Sequence, residues 1–318
     1  MTPTDGASSG THDIIVAGAS AGGIEALKQV VRRLPADLPA AVFVVVHVFP
    51  RSKSLLPEIL SGVSKNPVLH AEDGMEIRPG HIYVAPPDHH LMVEQGHMHL
   101  SRGPKEQHQR PCINVTFRSA AAVYGARVIG VVLTGQLDDG AAGLWEIVRQ
   151  GGLAVVQNPE EADFPSMPLS ALREVEVSYT VRLADMGQLL AQLTGSGKPE
   201  AVPAKEGTEM EPELTDLTCP DCRGTIWRVR KGRFCEYRCR VGHSYSPKSM
   251  LAEHFLAQEK ALWAAIVALE EGASLSKQLI GQLEPELQGS LEEEAQDRLQ
   301  QASELRRLLE QRKSFTLE

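Results

Sequence analysis

Ala40–Val46 is seven consecutive apolar residues dominated by valine. Such a run cannot alternate between water and core. It is also far short of the roughly 20 residues a membrane helix needs. It reads as a strand buried on both faces of a sheet. Arg127–Leu133 and Leu153–Gln157 are further runs of this kind, and Asp13–Ala17 is a shorter one. Between them lie helical stripes, the first being Ile24, Leu27, Val30, Val31 and Leu34 within Gly22–Leu34. Strands alternating with helices predict a doubly wound, mostly parallel α/β sheet of Rossmann-like type. His81–Ala85, Leu91–Glu94 and His97–Ser101 break the rhythm. Turns at Pro86-Pro87-Asp88 and Gln95-Gly96 join them, and together they read as an antiparallel hairpin insertion.

At 318 residues, more than one domain is expected. The alternating pattern, read over 13–155, belongs to an α/β domain expected over 12–193. Gly- and Pro-bearing polar sequence over 194–215 reads as a linker. A compact Cys-bearing module spans 216–246. Over 247–314, two amphipathic helices broken at Pro285 predict a helical hairpin or coiled coil. Leu251, Phe255, Leu262, Ile266 and Leu269 form the first helix's stripe. These helices would pair with each other, self-associate or dock on a partner. With 32 basic against 41 acidic residues the net charge is −9, the wrong sign for a protein whose partner is nucleic-acid backbone. Met1–His12 is polar with no signal-peptide pattern, so a cytoplasmic protein without membrane insertion is expected.

Gly18-Ala19-Ser20-Ala21-Gly22-Gly23 follows the first strand and opens the first helix. It contains G-x-S-x-G, a turn crowded enough to favour glycine that lifts a serine hydroxyl over the strand's carboxyl end. The helix N-terminus beside it offers free N–H groups. Three readings stand: a simple strand–helix turn with Ser20 as a cap, a dinucleotide site, or a nucleophilic serine. The dinucleotide fingerprint G-x-G-x-x-G is not met. A nucleophile needs a base and an orienting acid. His47 ends the Val42–Val46 strand, and Asp139 lies in the loop after the Arg127–Leu133 strand. Each alone has a bland reading, as a core histidine or a turn aspartate. Carboxyl ends of parallel strands, however, share the edge where open α/β sheets place their sites. The order Ser20, His47, Asp139 is not that of an α/β-hydrolase, Ser–Asp–His.

These motifs resemble the catalytic domain of the chemotaxis protein-glutamate methylesterases (the CheB family). Six segments carry the resemblance in order: Ile14–Leu27, Val45–Pro50, V-A-P-P-D-H-H-L within His81–Leu91, Arg110–Ala120, Leu133–Gly143 and M-P-x-x-A-L within Phe164–Leu172. The resemblance implies a serine hydrolase that removes γ-methyl esters from receptor glutamates, releases methanol and also deamidates glutamines. Ser20 would be the nucleophile, His47 the general base and acid, and Asp139 its orienter. The backbone N–H groups of Ala21 and Gln136 would stabilise the oxyanion, with no catalytic cofactor. The partner would be a methylated receptor's cytoplasmic helices. Departures are Ala21 for the family's frequent Thr, Gln136-Leu137 for Met-Gly, Val46 for Gln and Cys112 for Ser. The family's usual N-terminal receiver domain is also absent from this sequence, so gating by phosphorylation in cis is not expected.

Cys219-Pro-Asp-Cys222 and Cys239-Arg-Val-Gly-His243 are separated by 16 residues. C-x₂-C plus C-x₃-H is a tetrahedral ligand set for structural zinc. Thr225–Arg230 and Arg233–Cys239 would form a hairpin between the pairs, a zinc-ribbon-like module. Incidental buried thiols and a redox pair are the alternatives, and Cys235 could replace His243. For the whole chain, a non-catalytic scaffold keeping the esterase fold and a nucleotide-binding regulator remain as competing functions.

Overall fold

The computed structural model describes residues 12–48, 50, 54–195, 211–232, 234–280, 282 and 284–311. Seven strands form one parallel sheet: β1 (Ile14–Ala19), β2 (Ala41–Val46), β3 (Val68–His70), β4 (Ile82–Val84), β7 (Val128–Val132), β8 (Leu153–Gln157) and β9 (Tyr179–Val181). Their spatial order is β3-β4-β2-β1-β7-β8-β9. The chain therefore winds outward from β1 through β2, then returns to β1's other side with β7. That reversal is a topological switch point, the usual place for a site in an open α/β sheet.

All six residues of β1 and of β2 are buried, as the valine run requires. Successive side chains point to opposite faces and feed two cores. Val16, Phe43, Val45 and Val132 pack with Ile113 and Phe117 of α3 (Ile113–Tyr124), Leu144 and Ile147 of α4 (Ala141–Arg149), and Met167 and Ala171 of α5 (Ser166–Glu174). Ile15, Val42, Val44 and Val131 pack with Leu27 and Val31 of α1 (Gly23–Arg32), Leu60 of α2 (Leu56–Ser61) and Leu190 of α6 (Leu183–Gly195). Each fully buried aliphatic side chain contributes about 1.5–3 kcal/mol. The helices approach closely where the sequence is small. A Cβ on Gly143 would overlap Phe117 of α3, so α3 and α4 can pack this tightly only with glycine there.

The expected antiparallel insertion is smaller than its sequence signal. Only β5 (His90–Val93) and β6 (Met98–Ser101) form an antiparallel hairpin. The first of the three runs, His81–Ala85, instead supplies β4 and pairs parallel with β2 and β3. Ile82, Tyr83 and Val84 are all buried, which an edge hairpin would not provide.

Of the expected linker 194–215, residues 196–210 lie outside the described residues. Its end is a strand, β10 (Glu213–Thr218), which pairs with β11 (Thr225–Lys231). β11 pairs with β12 (Phe234–Cys239), and β12 with β13 (Ser244–Tyr245), completing a four-stranded antiparallel ribbon. Residues through Ser249 form one compact unit and Met250 onward a second. The ribbon therefore belongs to the unit that contains the parallel sheet. Trp145 of α4 meets Phe234 with ring centroids 5.3 Å apart, and the Gln107 N–H donates to the Ser244 carbonyl at 2.6 Å.

The second unit consists of α7 (Pro247–Leu279) beyond its first turn and α8 (Pro285–Gln311). Arg306 pairs with Glu270, and Arg298 donates to Ser276 Oγ, so the two helices run antiparallel against each other. Of the expected stripe, Ile266 is buried, Phe255, Leu262 and Leu269 are half-buried, and Leu251 is exposed. Small residues (Ala273, Ala295 and Ala302) fill the rest of the seam. No described helix is long and apolar enough to cross a membrane.

Candidate active site

Ser20, His47 and Asp139 follow the carboxyl ends of β1, β2 and β7, three strands adjacent in space. His47 Nδ1 lies 3.0 Å from Ser20 Oγ, and His47 Nε2 lies 2.7 Å from Asp139 Oδ2. A carboxylate can only accept, so Nε2 carries the proton and Nδ1 is left as the acceptor for the serine hydroxyl. The imidazole is thus held in the tautomer a general base needs. Its side chain is 13% exposed and that of Asp139 3%.

The local backbone explains the placement. Ser20 N–H donates to the Thr134 carbonyl at 3.0 Å, which ties the first turn to the loop after β7. Gly22 then turns at φ 73° before α1 begins. Asp139 is held from the opposite side by the start of α3. Its Oδ2 accepts the Ile113 N–H at 2.8 Å, and its Oδ1 accepts the Asn114 N–H at 3.0 Å and the Cys112 thiol at 3.2 Å. Burial opposes its ionisation. The bond from His47 and the two N–H donors outweigh that, and its pKa is held below the ordinary carboxylate value. The Cys112 thiol, fully buried and beside Asp139, is pushed well up and stays protonated.

Sequence reasoning missed a supporting set. Asn114 Oδ1 accepts the N–H groups of Gly140 and Gly143, fixing the start of α4 behind Asp139. Gln157 Oε1 accepts the Thr134 N–H at 2.8 Å. Gln157 ends an otherwise apolar strand just as His47 does, and that was its available signal. Asn114 had none, since its partners are 26 and 29 residues away.

Leu137 occupies the position where the expected motif has glycine, and its φ is 63°. That left-handed conformation costs a non-glycine residue roughly 1–2 kcal/mol. It is held by Ser166 Oγ, which donates to the Leu137 carbonyl at 3.0 Å, and more weakly by Ser170 Oγ at 3.4 Å. Gln136 is exposed and Ala21 half-exposed. Neither N–H has a hydrogen-bond partner among the described residues.

Beside His47 is a cleft of about 340 Å³ bordered by Val48, Pro50, Lys105, His108, Gln109 and Arg110. Asp88 anchors this wall. It accepts from Arg110 at 2.6 Å and pairs with Arg102, while Arg110 also donates to the Arg102 and Gly103 carbonyls. The bonds from Arg102 and Arg110 lower the Asp88 pKa to about 2.

The four expected metal ligands converge. Cys219 Sγ, Cys222 Sγ, Cys239 Sγ and one ring nitrogen of His243 lie within 4.8 Å of one another. Cys222 and Cys239 sulfurs are 3.6 Å apart, and His243 Nδ1 is 3.5 Å from Cys239 Sγ and 3.8 Å from Cys219 Sγ. Zinc–sulfur bonds of about 2.3 Å at tetrahedral angles separate sulfurs by about 3.8 Å, so the donor set has the size of a zinc site. Cys235 pairs with Arg230 across the hairpin and is not in the cluster.

A hydroxyl, an imidazole and a buried carboxylate in series, at the switch point of a parallel sheet, define the class of α/β proteins with a Ser-His-Asp constellation. Residues 15–190 match the CheB methylesterase family. A relative from Leptospira interrogans is 39% identical over 183 residues, 57% of this chain and 95% of its own. The protein-glutamate methylesterase/protein-glutamine glutaminase 2 of Methanosarcina acetivorans is 37% identical over 192 residues, covering 58% of this chain and 54% of that relative. The crystal structure of the Thermotoga maritima CheB methylesterase catalytic domain superposes with a TM-score of 0.55 at 32% identity, over 57% of this chain and 99% of that one. The chain belongs to the CheB methylesterase family and is a methylesterase by that membership.

Proposed function

We propose that the protein hydrolyses γ-methyl esters of glutamate residues on chemoreceptor-like proteins by a serine mechanism, and deamidates glutamines at the same site. The observation that carries this is His47, bonded to Ser20 through one ring nitrogen and to Asp139 through the other.

Ser20 Oγ attacks the ester carbonyl as its proton passes to His47 Nδ1. The carbonyl π pair moves onto oxygen, where the N–H groups of Ala21 and Gln136 receive the oxyanion. Collapse breaks the acyl–OCH₃ bond, and the Nδ1 proton leaves with methanol. Water then attacks the acyl-serine and gives one proton to Nδ1; collapse returns that proton to Ser20 and frees the glutamic acid side chain, which loses its remaining proton to solvent. With a glutamine substrate ammonia leaves instead. Asp139 remains ionised throughout and balances the imidazolium. Positioned proton transfer contributes roughly 10²–10⁴-fold and each oxyanion donor about 10²–10³-fold.

Cys219, Cys222, Cys239 and His243 hold a structural zinc in this reading. Four protein ligands leave no open position for substrate, so the metal's role is to order the ribbon.

The test is methanol release from a methylated receptor fragment by the whole chain. Ser20→Ala is expected to lower turnover by more than 10³-fold. Undiminished release by Ser20→Ala would overturn the mechanism. Hydrolysis of a small activated ester, with no release from any receptor fragment, would overturn the substrate.

A further inference from the structure

The ribbon touches the active site through the segment that follows its last cysteine–histidine pair. Three residues after His243, Ser246 Oγ donates to Asp138 Oδ1 at 2.8 Å. Ser246 also accepts the Ser249 N–H at 3.1 Å, so it caps α7, with Pro247 in the first helical position. Two residues on, Lys248 Nζ donates to Ser170 Oγ at 2.9 Å. Ser170 in turn bonds to the carbonyl of Leu137. Asp138 is 6% exposed, and Ser246 is its side-chain hydrogen-bond partner among the described residues. Upstream, Ser244 is stitched by backbone bonds to Lys105 and Gln107 on one side and paired with Arg238 of β12 on the other. The segment is therefore fixed before it reaches the loop after β7.

Leu137 and Asp138 are the residues between Gln136, the exposed N–H donor, and Asp139. The first sits in a left-handed conformation that a leucine resists. The second buries a carboxylate that must be hydrogen-bonded. A loop with these two costs relaxes unless something outside it holds both. Ser246 bonds Asp138 directly, and Lys248 fixes Ser170, which together with Ser166 holds the Leu137 carbonyl.

We infer that Ser246 and Lys248 are positioning residues for the Gly135–Asp139 loop, so that the ribbon acts as a strut of the esterase site and not only as a recruitment module. The effect on rate rests on the serine-hydrolase reading; the effect on loop order does not. Neither residue touches substrate. Their contribution is to keep Gln136 N–H aimed at the developing oxyanion and Asp139 in line with His47.

The test uses the whole zinc-loaded chain carrying Ser246→Gly and Lys248→Met. Glycine keeps most of the N-cap stability but removes the bond to Asp138. Two readouts are taken: the second-order rate of Ser20 labelling by a fluorophosphonate, and amide hydrogen exchange over residues 135–142. The strut predicts labelling about tenfold slower, the rate equivalent of ~1.4 kcal/mol. It predicts exchange of the Gln136–Asp139 amides about tenfold faster, with unchanged zinc content and unchanged protection in β1 and β2. On a small ester, kcat falls with KM within about twofold. Ser246→Thr, which keeps the hydroxyl, behaves as wild type. Unchanged labelling and exchange in the double variant overturn the strut, as does a loss of protection that extends equally through β1 and β2. If wild type itself is not labelled, the serine mechanism fails and the exchange result alone decides the strut.

Discussion

Asp139→Asn exchanges two acceptor oxygens for one oxygen and one amide, at a position where four donors converge. With the amide oxygen in the place of Oδ2, it still accepts from His47 and Ile113, and the new NH₂ faces the Asn114 N–H. With the oxygen in the place of Oδ1, the bond from Asn114 survives. The NH₂ then faces the Ile113 N–H and donates to His47 Nε2, which moves the imidazole proton to Nδ1 and disarms the base. Either rotamer orphans one buried backbone donor, at about 1–3 kcal/mol. Either also removes an anion from the N-terminus of α3, worth about 0.3–1 kcal/mol. The sum, roughly 1–4 kcal/mol, lowers the melting temperature by about 3–15 °C for a unit of this size. The kcat on a small ester falls about 10³–10⁴-fold, through the wrong tautomer or an uncompensated imidazolium. The acid dependence carries a sign. The folded-state pKa of Asp139 is depressed, so its contribution is present above the unfolded value near 3.9 and is lost as pH falls through the lower folded value. The stability gap between wild type and Asp139→Asn is therefore full at neutral pH and narrows in acid. Thermal melts at pH 3 to 7 with parallel ester kinetics measure both. A variant within tenfold of wild-type kcat, or a gap that does not narrow in acid, refutes the assigned role of the carboxylate.

Gly135→Ala places a Cβ well inside van der Waals contact distance of Met167 Sδ and 2.8 Å from Ser20 Cβ; displacement of the nucleophile lowers kcat by at least about 10²-fold, and a burst assay with a small ester checks it. Asp88→Asn removes a carboxylate held near pH 2 by Arg102 and Arg110. Wild type then loses stability as pH falls from about 4 toward 2, while the variant is already destabilised and shows a flatter acid limb; denaturant melts across that range distinguish them. With the proposed zinc bound, native alkylation at pH 8 modifies Cys235 first, leaving Cys112 unreactive through burial and Cys219, Cys222 and Cys239 protected as ligands. Chelation exposes Cys219, Cys222 and Cys239 to reagent, which peptide mass spectrometry resolves.

The strands of the parallel sheet were legible because burial on both faces leaves a mark that local composition carries: valine-rich runs without a polar residue in β2 and β7, with boundaries within about one residue of those read. The same logic located Ser20 and His47, polar residues placed where an apolar strand stops. His81–Ala85 misled for the opposite reason. It is too short to declare its partner, and neighbouring turns made it look like part of a hairpin. Its burial between β2 and β3 is a property of the assembled sheet. β10 was hidden by composition as well. Glu213–Thr218 alternates exposed and half-buried positions at the edge of a small ribbon, and its sequence resembles the polar stretch before it.

What the sequence did not show is the second tier of the site. Ser20, His47 and Asp139 are in series only because α3 begins where Asp139 ends. The pieces that hold Asp139 are the N–H groups of Ile113 and Asn114, which every sequence supplies at every position. Backbone donors have no residue-type signature, so a helix N-terminus aimed at a carboxylate appears only once the fold is built. The glycine-to-leucine departure at position 137 is instructive in the same way. In the structure it is a conformational cost at φ 63°, and Ser246, beyond the Cys–His cluster, is bonded to Asp138 in the loop that bears it. A loop that must be braced from outside makes the ribbon part of the catalytic unit. This agrees with the ribbon and the sheet forming one compact body, while the helical pair forms another.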